Sequence, residues 1–197
     1  MKKVISLVLA LSLSSTLSVY ANTDIIYSPN IVYANDFEYA LLQSDADFIE
    51  IEDNSFPYIE SLPLSYDEQK VIYDLWTSYG YDYATCLGLM DVETGGTFNK
   101  NSYNKNSGDY GLFQLNKRSW FSSFKKLFGI NSMNEMYNVE LNTRGALYVY
   151  SDCVNQYGQT EKALVAYNTG TGKYGSTSYS RKCLRAIAKW RGILDSL

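Results

Sequence analysis

Hydrophobic residues recur with a helical period along most of the chain after residue 64. Ser65 followed three positions later by Glu68 is a capping box, a pattern that opens a helix. The apolar positions that follow fall on one face of that helix, and Gly80 ends it. Asp82 caps a second, apolar helix that runs to about Glu93. Further helices are predicted near residues 117–128, 140–157, 160–167 and 180–195.

The stretch from residue 95 to 111 has no helical period and is rich in Asn, Gly, Ser, Lys and Tyr. It predicts loops and a short hairpin. The chain shows neither a run of alternating strands nor the strand–helix–strand rhythm of α/β proteins. With 197 residues, 46% of them apolar, it fits one globular domain with a small addition. The predicted fold class is therefore mostly α, with a small loop and hairpin region.

The first 21 residues have the pattern of a secretory signal peptide. Lys2 and Lys3 precede a short, serine-rich apolar run that ends at Val19, and small residues stand at the expected cleavage positions before Asn22. The run is short and hydroxyl-rich for a transmembrane helix, although an uncleaved anchor is the alternative. We therefore expect a secreted or cell-envelope protein without a stable membrane span once residues 1–21 are removed.

Charge divides the remaining chain into two segments. Residues 22–64 hold nine acidic side chains and no Lys or Arg, whereas residues 65–197 hold twelve acidic and fifteen basic ones. We interpret residues 22–64 as an acidic, loosely structured arm and residues 65–197 as the main folded domain. The alternative for the arm is an intramolecular guard that lies on a basic groove until it is displaced.

Composition limits the chemistry that is available. The chain has no histidine, which excludes His-dependent triads and most zinc and copper sites, so we expect no metal and no cofactor. The odd number of cysteines permits at most one disulfide, and buried reduced thiols are at least as compatible with the sequence. Cys153 pairs equally well with Cys183 or Cys86 in such a bridge. Of the three tryptophans, Trp76 and Trp190 are interpreted as core residues, and Trp120 is the one that could serve as a sugar platform.

Glu93 is the most informative carboxylate. It ends an apolar helix and opens onto a polar loop. Partial desolvation and the negative end of the helix dipole both raise the pKa of a carboxyl group in this position. A general acid must hold its proton near neutral pH, so the position suits that role, although a solvated helix-end glutamate is the plainer interpretation.

Three segments in order carry a family resemblance. They are Glu93-Thr94 with Phe98-Asn99, residues 109–116 (DYGLFQLN) and residues 163–170 (ALVAYNTG). Together they resemble the Glu-Ser, Gly-Leu-Met-Gln and Ala-Tyr-Asn-x-Gly motifs of the lytic transglycosylase (SLT-type) family of the lysozyme-like superfamily. The likeness covers roughly residues 65 to 190 and implies a lysozyme-like α+β fold.

The resemblance also implies roles for individual residues. Glu93 is expected to be the acid/base, and Tyr167 to orient it. Expected substrate contacts are Thr94, Tyr110, Gly111, Phe113, Gln114 and Asn168. Family members cleave the β-1,4 bond between N-acetylmuramic acid and N-acetylglucosamine of peptidoglycan without water, leaving a 1,6-anhydro end.

One departure from the family pattern opens a second chemistry. Asp109 stands where the family has a small residue, and residues 109–116 also resemble the Asp-Tyr-Gly-Ile-x-Gln-Ile-Asn stretch of animal-type lysozymes, in which the aspartate is catalytic. If Asp109 faces Glu93 at about 5–5.5 Å, retaining hydrolysis becomes available. A loop aspartate that satisfies turn amides is the structural alternative.

The partners follow from the same reasoning. We expect peptidoglycan glycan strands as the ligand and a monomeric protein, and no region resembles a nucleic-acid-binding module. The basic residues near the C-terminus are interpreted as a solvated helix face. A non-catalytic saccharide-binding protein is the alternative from a different functional class, because fold alone does not give function.

Overall fold

The structure is a computed structural model that describes residues 56–197. The predicted signal peptide and residues 22–55 of the acidic arm lie outside the described residues. Within the described part the chain forms six α-helices, one 3-10 helix and a three-stranded sheet. The helices are α1 (Tyr66–Ser78), α2 (Tyr83–Glu93), α3 (Lys117–Phe128), α4 (Val139–Tyr157), α5 (Glu161–Thr169) and α6 (Ser178–Leu194), with the 3-10 helix at Met133–Tyr137. The strands are β1 (Tyr103–Asn104), β2 (Asp109–Tyr110) and β3 (Leu115–Asn116).

The helix starts follow from the capping residues. Both bonds of the predicted Ser65–Glu68 capping box are present at α1, and the Asp82 side chain accepts the Ala84 N–H at the start of α2. The four further predicted helices correspond to α3 through α6 within two residues at each end. The 3-10 helix was not predicted. It is opened by a capping box of its own between Ser132 and Glu135.

The small sheet confirms the predicted loop and hairpin region. Its strands run antiparallel in the order β1-β2-β3, with Tyr103 opposite Tyr110 and Asp109 opposite Asn116. Each strand has two residues. The sheet therefore holds a turn and a loop in place and contributes little to the core.

The core connects the helices to the loop between β2 and β3. The Trp76 ring of α1 is fully buried and stacks on Phe113 of that loop at 5.8 Å between centroids, and on Tyr150 of α4 at 5.3 Å. Gly88 of α2 packs so closely on α6 that an added Cβ would lie 2.5 Å from Ile187 Cγ1. This contact fixes α2 against α6. Trp76 and Trp190 are buried as expected.

The packed domain begins earlier than the predicted boundary at residue 65. The segment before α1 buries four apolar side chains against the core: Phe56, Ile59, Leu62 and Leu64. The buried Gln69 side chain accepts the Ile59 N–H at 3.0 Å and donates to the carbonyl oxygens of Ile59 and Leu64, each at 3.0 Å. Residues 56–64 therefore belong to the domain and not to a loosely structured arm.

The described residues show three further features. The cysteines Cys86, Cys153 and Cys183 are free and buried, which is the reduced alternative of the sequence analysis. Between residues 56 and 197 no helix is both long and apolar enough to cross a membrane. Over the same range no group of three or more His, Cys, Asp and Glu side chains is placed to hold a metal ion.

Candidate active site

Glu93 is the last residue of α2, a helix whose first eight residues are almost all buried. Its carboxyl group is half-buried, because this end of the helix leaves the core and lies at the surface of a groove. The following residue, Thr94, is the C-cap of this helix, and its side chain bonds to the backbone on both sides of the cap. The Thr94 hydroxyl donates to the Met90 carbonyl at 2.7 Å and accepts the Phe98 N–H at 2.9 Å. Thr94 therefore fixes the backbone that carries Glu93, while its own hydroxyl is engaged within the protein.

The hydrogen-bond partner of Glu93 is Tyr179, which sequence reasoning missed. The Tyr179 hydroxyl donates to Glu93 Oε1 at 2.5 Å across 86 residues of sequence. Tyr179 stands in the first turn of α6. The signal that could have found it is helical spacing, because Tyr179 lies four residues before the buried Cys183 and eight before the buried Ile187.

The surroundings raise the pKa of the Glu93 carboxyl group to about 7. Burial makes the largest contribution, because it disfavours the ionised form. The negative charge of Asp109 raises this pKa further, and the Tyr179 hydrogen bond opposes both effects by stabilising the carboxylate. A carboxyl group with this pKa is available in both protonation states near neutral pH.

Tyr167, expected to orient Glu93, makes its hydrogen bond elsewhere. The Tyr167 hydroxyl donates to the Phe113 carbonyl at 3.1 Å and so ties α5 to the loop between β2 and β3. Its pKa is raised well above the usual value by burial and by the negative charge of Glu93, and both residues line the same groove. The structure thus has two tyrosines beside Glu93, of which Tyr179 contacts it directly.

The loop between β2 and β3 is held by a buried asparagine. Asn142 of α4 accepts the Phe113 N–H at 2.9 Å and donates to the Tyr110 carbonyl at 3.0 Å. Gly111 has a φ of 76°, and a Cβ there would lie 2.4 Å from Asn142 Nδ2, so only glycine fits. Gln114 has the left-handed φ of 46°, and its side-chain amide donates to the Gly111 carbonyl at 2.8 Å. These contacts give the loop one defined conformation.

Not every predicted substrate contact reaches the groove. Phe113 is fully buried against Trp76, and Tyr110 is buried between the rings of Tyr103 and Tyr137. Both side chains are needed for packing, so they support the floor of the groove rather than line it. Gly111 is likewise buried beneath Asn142. Gln114, Asn168 and Thr94 do line the groove.

Asp109 lines the same groove as Glu93, and its two oxygens are engaged by the hairpin. One oxygen accepts from the Asn116 side-chain amide at 2.7 Å, and the other accepts from the Ser107 hydroxyl. Asp109 therefore fixes the hairpin and also places a negative charge near Glu93, while its catalytic role stays a prediction.

The groove has two depressions that meet at Glu93 and Gln114. The first, about 550 Å³, extends from these residues past Asp109 and the half-buried Trp120 to Asn168. The second, about 510 Å³, extends over β1 and the turn after it. Because both depressions include Glu93, a long ligand that fills them would pass directly over this carboxyl group.

Comparison with known proteins identifies the family. The family model described as "Transglycosylase SLT domain" matches residues 73–186, which is more than half of the chain and includes Glu93, the β2–β3 loop and Tyr179. Among curated proteins and solved structures, none matches the chain significantly. The chain therefore belongs to the transglycosylase SLT domain family, which supports a peptidoglycan-cleaving function of the lytic transglycosylase type.

Proposed function

We propose that this protein is an exported lytic transglycosylase in which Glu93 is the only acid and base. Its substrate is the β-1,4 bond between N-acetylmuramic acid and N-acetylglucosamine, and its product is a 1,6-anhydromuramic acid end. The observation that carries the proposal is the position of Glu93 where the two depressions meet, with a pKa of about 7. Export rests on the signal-peptide pattern of residues 1–21.

In the first step Glu93 acts as the acid. Its proton passes to the glycosidic oxygen, the bond from that oxygen to C1 of the muramic acid breaks, and the second sugar leaves with a free 4-hydroxyl. The carbonyl oxygen of the 2-N-acetyl group stabilises the positive charge at C1. The raised pKa supports this step, because it keeps a substantial fraction of Glu93 protonated at neutral pH.

In the second step the Glu93 carboxylate acts as the base. It removes the proton of the muramic acid 6-hydroxyl, and O6 forms a bond to C1 that closes the anhydro ring. Glu93 is thereby protonated again and no water is consumed. The Tyr179 hydrogen bond supports the alternation between the two states, because it stabilises the carboxylate that the first step creates.

Hydrolysis is the second candidate, and Asp109 favours it. Asp109 lines the first depression together with Glu93, as a second carboxylate must in a retaining glycosidase. Against hydrolysis, the chain belongs to the transglycosylase SLT domain family, whose anhydro-forming reaction needs only one carboxylate. We therefore rank hydrolysis below the anhydro-forming reaction.

The test is mass spectrometry of the soluble fragments that the protein starting at Asn22 releases from purified peptidoglycan. Fragments one water lighter than the reducing-end species support the transglycosylase. Ordinary reducing ends refute the anhydro route and make Asp109→Asn the next variant. Glu93→Gln is the control, since it keeps the shape of the side chain but removes the transferable proton.

The same experiment separates the enzyme from a non-catalytic saccharide-binding protein. We expect Glu93→Gln to abolish fragment release while leaving binding to glycan strands intact. A folded wild-type protein that binds the strands but releases nothing would favour the binding function.

A further inference from the structure

The second depression has a chemical character of its own. Its lining includes an exposed tyrosine and a lysine from β1 and the turn after it, Tyr103 and Lys105. Among the residues that the structure describes, Lys105 is the only cationic side chain that lines this depression. The first depression instead combines Arg118 with the carboxylates of Asp109 and Asp152. Glu93 lines both depressions. Apart from it, the charged side chain of the second depression is positive, whereas those of the first depression include both signs.

Lys105 is available to an external ligand. None of the five ion pairs among the described residues includes Lys105, and the Lys105 side chain makes no hydrogen bond to any of these residues. Lys105 is also exposed. A strongly hydrated surface ammonium gains most from a partner that is itself anionic and partly exposed.

The turn that carries Lys105 is well fixed. The Asn104 side chain accepts the Asn106 N–H at 3.1 Å, and the Gly108 N–H donates to the Asn104 carbonyl at 2.7 Å. The Asn116 side-chain amide adds a bond to the Ser107 carbonyl at 2.9 Å. The backbone of Lys105 is therefore pre-organised, and a ligand needs to order only its side chain.

Tyr103 supplies a flat surface beside this cation. Its side chain is 51% exposed, and its ring lies 4.8 Å from that of the buried Tyr110, which is itself backed by Tyr137. A tyrosine held in this way combines a fixed apolar face with a polar tip, which suits the mixed surface of a sugar ring.

We infer that Tyr103 and Lys105 form a subsite for a muramic acid residue that bears a carboxylate, with Tyr103 contacting the sugar and Lys105 pairing with the anion. The inference rests on the proposed function and deepens it, because it makes the second depression selective for the charged sugar of the polymer. The carboxylate has two possible sources. It belongs to the stem peptide in intact strands, or to the lactyl group once an amidase has removed the peptide.

The experiment measures binding in a Glu93→Gln background, so that no substrate is consumed. The probes are peptide-bearing peptidoglycan strands, amidase-treated strands, and oligomers of N-acetylglucosamine, which carry no carboxylate. The variants are Lys105→Ala, Lys105→Arg and Tyr103→Ala. Lys126→Ala is the matched control, because Lys126 is exposed and lines neither depression.

We expect Lys105→Ala to weaken binding of peptide-bearing strands about fivefold at low salt, with the difference shrinking at high salt. Binding of N-acetylglucosamine oligomers should not change, and Lys105→Arg should retain most of the affinity. Tyr103→Ala should weaken binding of all three probes. If Lys105→Ala also weakens the binding of amidase-treated strands, Lys105 pairs with the lactyl carboxylate as well as with the stem peptide. If the binding of amidase-treated strands does not change, Lys105 pairs with the stem peptide alone.

Two results would overturn the inference: no effect of Lys105→Ala on any probe, or an equal effect on all three. Cleavage by the otherwise wild-type protein is scored separately. A protein that cleaves peptidoglycan but lacks this binding pattern refutes the subsite alone. A protein that shows the pattern but never cleaves refutes the proposed function and leaves a site for anionic saccharides.

Discussion

At the scale of single residues, the site depends on how Glu93 is held between two protonation states. Burial and the charge of Asp109 favour the protonated acid, and the hydrogen bond from Tyr179 favours the carboxylate. Tyr167 lies close enough for the charge of Glu93 to raise its pKa, yet it donates to the Phe113 carbonyl. The two phenols therefore act on different parts of the site, the first on the carboxyl group and the second on the loop.

Replacing Tyr179 by phenylalanine tests this division. Loss of the hydrogen bond removes the one contribution that lowers the pKa of Glu93, so this pKa should rise above its wild-type value of about 7. The alkaline limb of the pH profile of kcat/KM should move to higher pH, and kcat should fall about tenfold because the carboxylate is a less stable product of the first step. The profile of Tyr167→Phe is the comparison. A shift in Tyr167→Phe but not in Tyr179→Phe would restore the expectation that Tyr167 orients Glu93.

Glu93 should also lower the stability of the folded protein. The pKa is 4.5 for the free carboxyl group and about 7 in the folded state, so the folded state holds the proton more tightly. The unfavourable contribution is therefore absent below pH 4.5, grows as the pH rises to about 7 and is constant above it. Glu93→Gln should raise the free energy of unfolding by about 1–2 kcal/mol at pH 8, less than the full shift implies because the group is partly exposed.

Urea denaturation of both proteins at pH 4.5, 6 and 8 measures this gain. The exposed Glu60→Gln variant controls for the loss of one surface charge. A gain of the same size at all three pH values would mean that the titration of Glu93 is not its source.

Short sequence motifs could predict which residues line the groove, but they could not predict the contact between Tyr179 and Glu93. Glu93, Gln114 and Asn168 belong to short patterns whose order is informative, and all three line the groove. Tyr179 reaches Glu93 only because α2 and α6 approach closely at Gly88 and Ile187. The local pattern of α6 predicts its buried face but not which element that face contacts.

At the scale of elements, the loop between β2 and β3 depends on α4. Asn142 is 1% exposed and satisfies one N–H and one carbonyl group of this loop. Asn142→Ala removes the side-chain partner of both groups, which should cost about 2–4 kcal/mol of stability. It should also lower kcat/KM about tenfold, because Gln114 and Asp109 lose their fixed positions.

Asn138→Ala provides the matched control for that variant. Asn138 caps the same helix by accepting the Leu141 N–H at 3.0 Å, and its removal should cost about 1 kcal/mol without moving the loop. Unfolding curves and kinetics at a temperature where both variants are folded separate the two effects. Equal loss of activity in Asn138→Ala and Asn142→Ala would show that stability alone, and not the loop, limits the rate.

Elements with strong local signals were the predictable ones. Capping residues and apolar periodicity are properties of neighbouring positions, so α1 and α2 could be placed from Ser65 and Asp82. The three strands have two residues each, too few for any alternation to register. Their pairing depends on side chains such as Asn116, which bonds to Ser107 and Asp109 across the hairpin.

At the scale of the whole molecule, the domain includes a segment that composition assigned to the acidic arm. Residues 22–64 hold nine acidic side chains, three prolines and no Lys or Arg, and this composition does not distinguish the last nine residues from the rest. Residues 56–64 form turns and no helix, and they pack over α1 through the Phe56 ring and the bonds of Gln69. The boundary could therefore not be read from composition, although burial places it at or before residue 56.

A chain that begins at residue 65 should consequently be less stable than one that begins at residue 56. Each buried Phe, Ile or Leu side chain contributes about 1.5–3 kcal/mol, and the ordering of the segment offsets part of this gain. We expect the free energy of unfolding to fall by about 2–4 kcal/mol, measured as a lower urea midpoint.

Gln69→Leu in both chains identifies the cause. In the longer chain it removes the partner of Ile59 and Leu64 and should cost about 2 kcal/mol, whereas in the shorter chain those groups are gone and it should cost little. Equal stability of the two chains, or equal effects of Gln69→Leu, would show that residues 56–64 lie on the domain without stabilising it.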